Sequence, residues 1–238
     1  MKLYDAIIQE TDKILMAGGA EVCPPDPRRI WKDTGRSELI MRKEAGVELG
    51  GNGQPSVNFT CVTTSGLIRT DEIWLCGPDL GELSGDAPFA RIAILETEDL
   101  KETEDTEAAY QAVRNIEYVR YHVFPKGYMV RVSATTNEEQ VRVSNDAMKR
   151  GIRFSYVGGT YIRKYKQVAG VKHVRVAFVT DPDTVRMLVP LAGKVDGITK
   201  TLTHILDGLP TDCGHCAMKP VCDEVEGLRE MHLGGGRR

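Results

Sequence analysis

Apolar positions recur along the chain at two spacings. Over residues 3 to 17, Leu3, Ile7, Ile14 and Leu15 fall near one helical face with polar residues between them, and Gly18-Gly19 supplies a stop. That spacing predicts a short N-terminal helix. From Val57 to Thr64 and again from Phe89 to Thr97, Val, Ile, Phe and Thr alternate with polar residues, the pattern of half-buried strands. Cys61 and Cys76 lie in apolar, strand-like runs, where a thiol behaves as a small buried hydrophobe. Gly77-Pro78-Asp79 reads as a turn between such segments, and helical spacing returns from Glu107 to Arg120. The acidic stretch between them, Glu98 to Asp105, reads as a solvated loop and helix start.

After Tyr128 the expected order is strand, helix, strand, helix. Tyr128 to Val132 reads as a strand, and Ser144 caps a helix through Arg150 that stops at Gly151. Thr160 to Gln167 forms a second helix. Val174 to Val179 is a buried strand closed by Thr180-Asp181-Pro182, a helix-start signal before Thr184 to Leu191. A last helix runs from Ile198 to Leu206, and Gly234 to Arg238 is a frayed tail. Gly50-Gly51-Asn52-Gly53 could pass for a phosphate loop, but no Lys-Ser/Thr follows and a hairpin-like turn accounts for it better. The expected class is mixed α/β. Residues 1–36 form a helix and a Pro-, Arg- and Asp-rich linker arm, 37–196 an α/β domain, and 197–238 a helix followed by a cysteine-rich, metal-binding loop.

Composition narrows the partners. With 238 residues and 41% hydrophobic content the chain can bury a sizeable core. Its net charge of -3, with both signs interspersed, gives no basic field of the kind that neutralises many phosphates, so no nucleic acid is expected. No apolar run approaches the roughly 20 residues of a membrane span, and Met1-Lys2-Leu3-Tyr4-Asp5 lacks the layout of a signal peptide. The expectation is a cytoplasmic protein with no membrane partner. Six cysteines are too few for a disulfide scaffold of this length and fit thiols or metal ligands. His122, His173 and His204 are scattered and read as core or surface residues.

The strongest chemical signal lies in Cys213-Gly-His-Cys216-Ala-Met-Lys-Pro-Val-Cys222, a C-x2-C-x5-C cluster on a turn-rich segment. Three thiolates there can hold three corners of a 4Fe-4S cubane, the two-residue gap bringing Cys213 and Cys216 to one cluster and Pro220 bending the chain back. The fourth corner falls to a distant cysteine, a histidine, an exogenous ligand or a partner; Cys23, in a segment that Pro24-Pro25 keep extended, is the first candidate, whereas His215 and Asp212 are too close in sequence to reach the opposite corner easily. Zinc is the alternative metal, held by three cysteines with His215 or His232. Unmetallated thiols are the third reading.

Four segments resemble a known family: Val47-Glu-Leu-Gly-Gly51, Asp71-Glu-Ile-Trp-Leu-Cys-Gly-Pro-Asp-Leu80, Arg142-Val-Ser-Asn-Asp-Ala-Met-Lys-Arg-Gly-Ile-Arg-Phe154 and Val174-Arg-Val-Ala-Phe-Val-Thr-Asp-Pro-Asp183. Their order and spacing are similar to the middle domain of the acetyl-CoA synthase (beta) subunit of the CO dehydrogenase/acetyl-CoA synthase complex, over roughly residues 38 to 192. The cysteine loop follows where that family's cluster-binding cysteines begin. The resemblance implies a middle-domain-like sheet with flanking helices and a module that docks partners and contacts coenzyme A. Arg142 then matches by motif as a phosphate contact and Arg131 by neighbourhood, with an ion pair at a helix start as the alternative role for Arg142.

The family's distal nickel sits in a Cys-Gly-Cys plane, and this sequence contains no Cys-Gly-Cys, so nickel is not expected. The resemblance therefore implies an accessory iron-sulfur component of CO, corrinoid and acetyl-CoA metabolism. It would dock a corrinoid protein, a ferredoxin or a CO dehydrogenase subunit and pass electrons. The alternatives are an acyl or methyl transferase subunit with partner-supplied metal ligands, and a structural zinc protein. Bridging of two cysteine loops across a homodimer is a further mode of association.

Overall fold

The computed structural model describes residues 2–98, 106–133 and 138–206. Eight strands and five helices among them build two sheets, which makes the expected mixed α/β class the observed one. The larger sheet has the order β1-β4-β8-β5-β3, from Glu21–Cys23 (β1), Glu72–Cys76 (β4), Val171–Val179 (β8), Phe89–Thr97 (β5) and Ser56–Thr63 (β3). Its pairs β4/β8 and β3/β5 are parallel, while β1/β4 and β5/β8 are antiparallel. The smaller sheet is antiparallel, β2-β7-β6, from Ala45–Leu49 (β2), Glu139–Ser144 (β7) and Tyr128–Val132 (β6).

The period-2 alternation of β5 splits its side chains between two cores. Ala90, Ile92 and Ile94 face a layer made by α1 (Asp5–Ala17) and α5 (Pro182–Leu206), with Ile8, Leu15, Val185, Leu188 and Val195 as buried members. Phe89, Ala93 and Leu95 face the opposite side, where α4 (Phe154–Tyr165), α2 (Thr106–Tyr121) and the inner face of the small sheet pack. Phe89, Phe154 and Phe178 stack there, the closest pair with centroids 4.8 Å apart. Both faces of the large sheet are thereby covered, which is why β3 and β5 are buried along their whole length.

Several elements differ from the sequence reading. The two C-terminal helices are one, α5, which passes through Pro190. Pro190 and Gly193 both lie on its exposed side, while Val185, Leu188, Leu191, Ala192, Val195 and Ile198 recur at three- and four-residue steps and bury against the sheet. Packing of that stripe overrides local propensity. Helix α4 starts at Phe154 rather than Thr160, since Asp79 Oδ1 accepts from Phe154 N at 2.8 Å and fixes its first turn. Gly158 inside it permits close approach to β4: a Cβ there would lie 3.0 Å from Ile73. The Gly50–Gly53 turn joins no hairpin, because β2 and β3 belong to different sheets. At Gly50 (φ 64°) the chain crosses between the layers, and a Cβ would lie 2.5 Å from that of Ser56. The segment expected as an N-terminal arm contributes α1 to a core and β1 to a sheet edge.

Candidate functional site

The small sheet has one buried and one outward face, set by alternation along β7. Glu139, Val141 and Val143 point inward, and Gln140 and Arg142 point outward. Arg142 is in register with Glu48 on β2 and Met129 on β6, and Arg131 with Gln140, so both nominated arginines share the outer face. They are diagonal neighbours, about 7–8 Å apart along the backbone. Arg131 is exposed.

Arg142 is held in place. Its Nε donates to Glu48 Oε2 at 2.5 Å and its Nη1 to the Ile40 carbonyl at 3.2 Å. Glu48 is almost fully buried, and its carboxylate packs over Gly51, where any Cβ would collide with it. The alternative role foreseen for Arg142, an ion pair, is thus present, although on a strand rather than a helix start. Ile40 N also approaches Met129 Sδ, and Gly127 N donates to Glu38 Oε2 at 2.7 Å, so residues 38 to 40 cover part of this face. Beside it, Asn52 (φ 54°) donates to Asp86 Oδ2 at 2.7 Å and accepts from Arg42 Nη1 at 2.9 Å, which pins the glycine turn. Leu39 and Met41 stand exposed at the margin. A guanidinium whose Nη2 carries no hydrogen bond among the described residues, next to a second exposed arginine, can receive a phosphate or carboxylate oxygen.

The inward face is anchored by an ion pair that sequence reading missed. Arg91 on β5 donates from Nε and Nη2 to the two carboxylate oxygens of Glu139 at 2.9 and 2.7 Å, and both side chains are fully buried. Arg91 Nη2 also donates to the Arg120 carbonyl, and its Cζ lies 4.4 Å from the Tyr161 ring centroid. Arg120 from α2 in turn binds the Asn58 carbonyl on the outer side of β3, satisfying a sheet edge. Burial pushes the Glu117 carboxyl up beside it, partly offset by Arg120.

Cys213, Cys216 and Cys222, the nominated cluster ligands, lie outside the described residues, as do Asp212, His215 and His232. Cys23 ends β1 half-buried, opposite Ile73. It sits at the far edge of the large sheet from β3, the strand α5 packs on, about 19 Å away across four strand spacings. Cys61 and Cys76 are the buried thiols expected, and burial pushes both up, so they stay protonated. Cys76 Sγ donates to the Gly18 carbonyl at 3.1 Å. No group of three or more His, Cys, Asp or Glu among the described residues could hold a metal, and no helix among them is long and apolar enough to cross a membrane.

Residues 35–185 match the model of the family described as CO dehydrogenase/acetyl-CoA synthase complex beta subunit. No curated protein matches the chain. The matched range contains the small sheet, Arg131, Arg142 and the Arg91–Glu139 pair, and ends just after α5 begins.

Proposed function

Because the chain belongs to the CO dehydrogenase/acetyl-CoA synthase complex beta subunit family, we propose that it is an iron-sulfur component of CO and acetyl-CoA metabolism. In this reading the α/β body docks a partner, and the segment after α5 carries a 4Fe-4S cluster for electron transfer. The observation that carries it is the C-x2-C-x5-C set that follows a body of this family. Three soft thiolates suit iron and are one short of a closed site, so Cys23, a histidine, an external ligand or a partner residue supplies the fourth. When bound, the cluster supplies a one-electron carrier. The protein's part is to hold thiolates near a docking face. The partner is a corrinoid protein, a ferredoxin or a CO dehydrogenase subunit.

The outer face of the small sheet supports coenzyme A as a ligand of the same body. Arg142 is oriented by Glu48 and keeps Nη2 for a phosphate oxygen, with Arg131 beside it as a second cation. Family membership favours a second reading, an acyl or methyl transferase subunit whose remaining metal ligands come from a partner, since the sequence has no Cys-Gly-Cys.

Purification without oxygen followed by iron, sulfide, nickel and zinc analysis, with visible and electron paramagnetic resonance spectra, separates these readings. About four irons and four sulfides without nickel are expected. Nickel would move the assignment to the transferase. Zinc alone, in a colourless preparation, would overturn both in favour of a structural site.

A further inference from the structure

Among the described residues, six buried side-chain polar atoms have no hydrogen-bond partner, and five lie between the two sheets: Asn58 Nδ2, Thr60 Oγ1, Arg91 Nη1, Tyr128 OH and Tyr165 OH. None of these five residues is more than 3% exposed. Asn58 and Thr60 alternate onto the same face of β3, and Asn58 is in register with Arg91 on β5. Tyr165 follows Tyr161, the ring under Arg91, by one turn of α4, and its hydroxyl faces that of Thr60 across a gap too long for a good direct bond. Tyr128 enters from the inner face of β6, and Arg91 is within electrostatic reach of both the Tyr128 and the Tyr165 hydroxyls.

Stranded polar atoms each forfeit a hydration they had in the unfolded chain, so native interiors hold few and scattered ones. Five in one seam, from three walls, describe the lining of an occupied site. We propose that the seam between the two sheets encloses water molecules that bridge Arg91 Nη1, Asn58 Nδ2 and the hydroxyls of Thr60, Tyr128 and Tyr165. Charge selects water over an ion, because the Arg91 guanidinium is already balanced by Glu139 and an anion would add an uncompensated charge in a buried place. Chemistry agrees: Arg91 Nη1 and Asn58 Nδ2 can only donate, whereas the three hydroxyl oxygens can also accept. A guest serving both must accept and donate, as water does with its usual two to four bonds. The small sheet that presents Arg131 and Arg142 outward would then rest on a hydrated layer beside its apolar core.

The test uses the intact protein with Tyr128→Phe and Tyr165→Phe, which keep ring volume and remove only the hydroxyl. If water bridges these groups, each change breaks a satisfied bond and lowers Tm by about 2–4 °C. Unchanged or higher Tm in both variants would mean that the hydroxyls face a dry seam and would overturn the proposal. A wild-type Tm that climbs saturably with chloride or formate, the climb being lost in Tyr165→Phe, would make the guest an anion and overturn it equally. A high-resolution crystal structure is expected to show ordered water within about 3.2 Å of Arg91 Nη1. Empty density there would also refute it.

Discussion

Replacing Glu139 with alanine is expected to damage this protein more than its polar character suggests. Both members of the Arg91–Glu139 pair are fully buried and joined by two hydrogen bonds, at 2.9 and 2.7 Å. In Glu139→Ala the guanidinium keeps the Arg120 carbonyl and the Tyr161 ring face but loses both charged acceptors. Water in the seam can hydrogen-bond the freed guanidinium but cannot neutralise its buried charge. Breaking a buried pair on one side costs about 3–5 kcal/mol, a large share of the roughly 5–15 kcal/mol that holds a domain of this kind together.

Urea denaturation followed by circular dichroism measures that loss as a lower midpoint at unchanged slope. The double variant Arg91→Met/Glu139→Leu serves as the control. It removes both charges and fills their volume, so it should lose clearly less than Glu139→Ala, as apolar replacements of buried pairs do. A loss under about 1 kcal/mol for Glu139→Ala, or a double variant at least as damaged as the single one, would refute the view that an uncompensated buried charge sets the cost.

Further expectations rest on other contacts. Gly18→Ala should destabilise by about 1–3 kcal/mol in the same denaturation assay, because its Cβ would press on Thr184 Oγ1 and lie 2.9 Å from Cys76 Sγ, where α1 meets α5. Burial raises the Glu72 carboxyl, but the hydrogen bond from Trp74 and the Arg175 guanidinium outweigh it and hold the group below its ordinary value of 4.5. The unfolded chain therefore binds the proton more readily, so this stabilisation is present above pH 4.5 and fades as pH falls below it, and Glu72→Gln should flatten that part of a stability-pH profile. Cys216→Ala should remove the metal, read by iron or zinc analysis, while circular dichroism of the α/β body stays unchanged, because that body has its own two cores. Arg142→Ala should weaken coenzyme A binding by on the order of 1–3 kcal/mol in calorimetry if the arginine meets a phosphate, and unchanged affinity would leave it a structural role alone.

What the sequence disclosed follows from which residues bury by their own periodicity. β3, β5, β6 and the end of β8 are apolar alternations, and the N-terminal helix carries a plain apolar stripe, so all were legible within a few residues. β7 was not. Its sequence Glu-Gln-Val-Arg-Val-Ser is half polar, and its inward Glu139 is stabilised by Arg91, a residue 48 positions away in sequence. An arginine amid the apolar run Phe-Ala-Arg-Ile-Ala-Ile was the available signal: a charge at an inward position of a strand buried on both faces demands a buried partner. In the same way Pro190 reads as a break until one sees that it lies on the solvent side of a helix held by its opposite stripe.

The two roles considered for Arg142, phosphate contact and ion pair, are not rivals in this geometry. Glu48 is buried and needs a cation, so it fixes the guanidinium through Nε, while Ile40 fixes Nη1 and Nη2 carries no hydrogen bond among the described residues. An arginine pinned this way has already lost the side-chain freedom that binding would otherwise remove, and so costs a ligand less to order. The carboxylate also lowers its net positive field. Affinity at this face should therefore depend on the geometry of the fork rather than on charge, and Arg142→Lys, which keeps the charge and loses the fork, should bind coenzyme A nearly as poorly as Arg142→Ala. If lysine restored most of the affinity in calorimetry, attraction by charge alone would be sufficient and the Glu48 pairing would have no part in recognition.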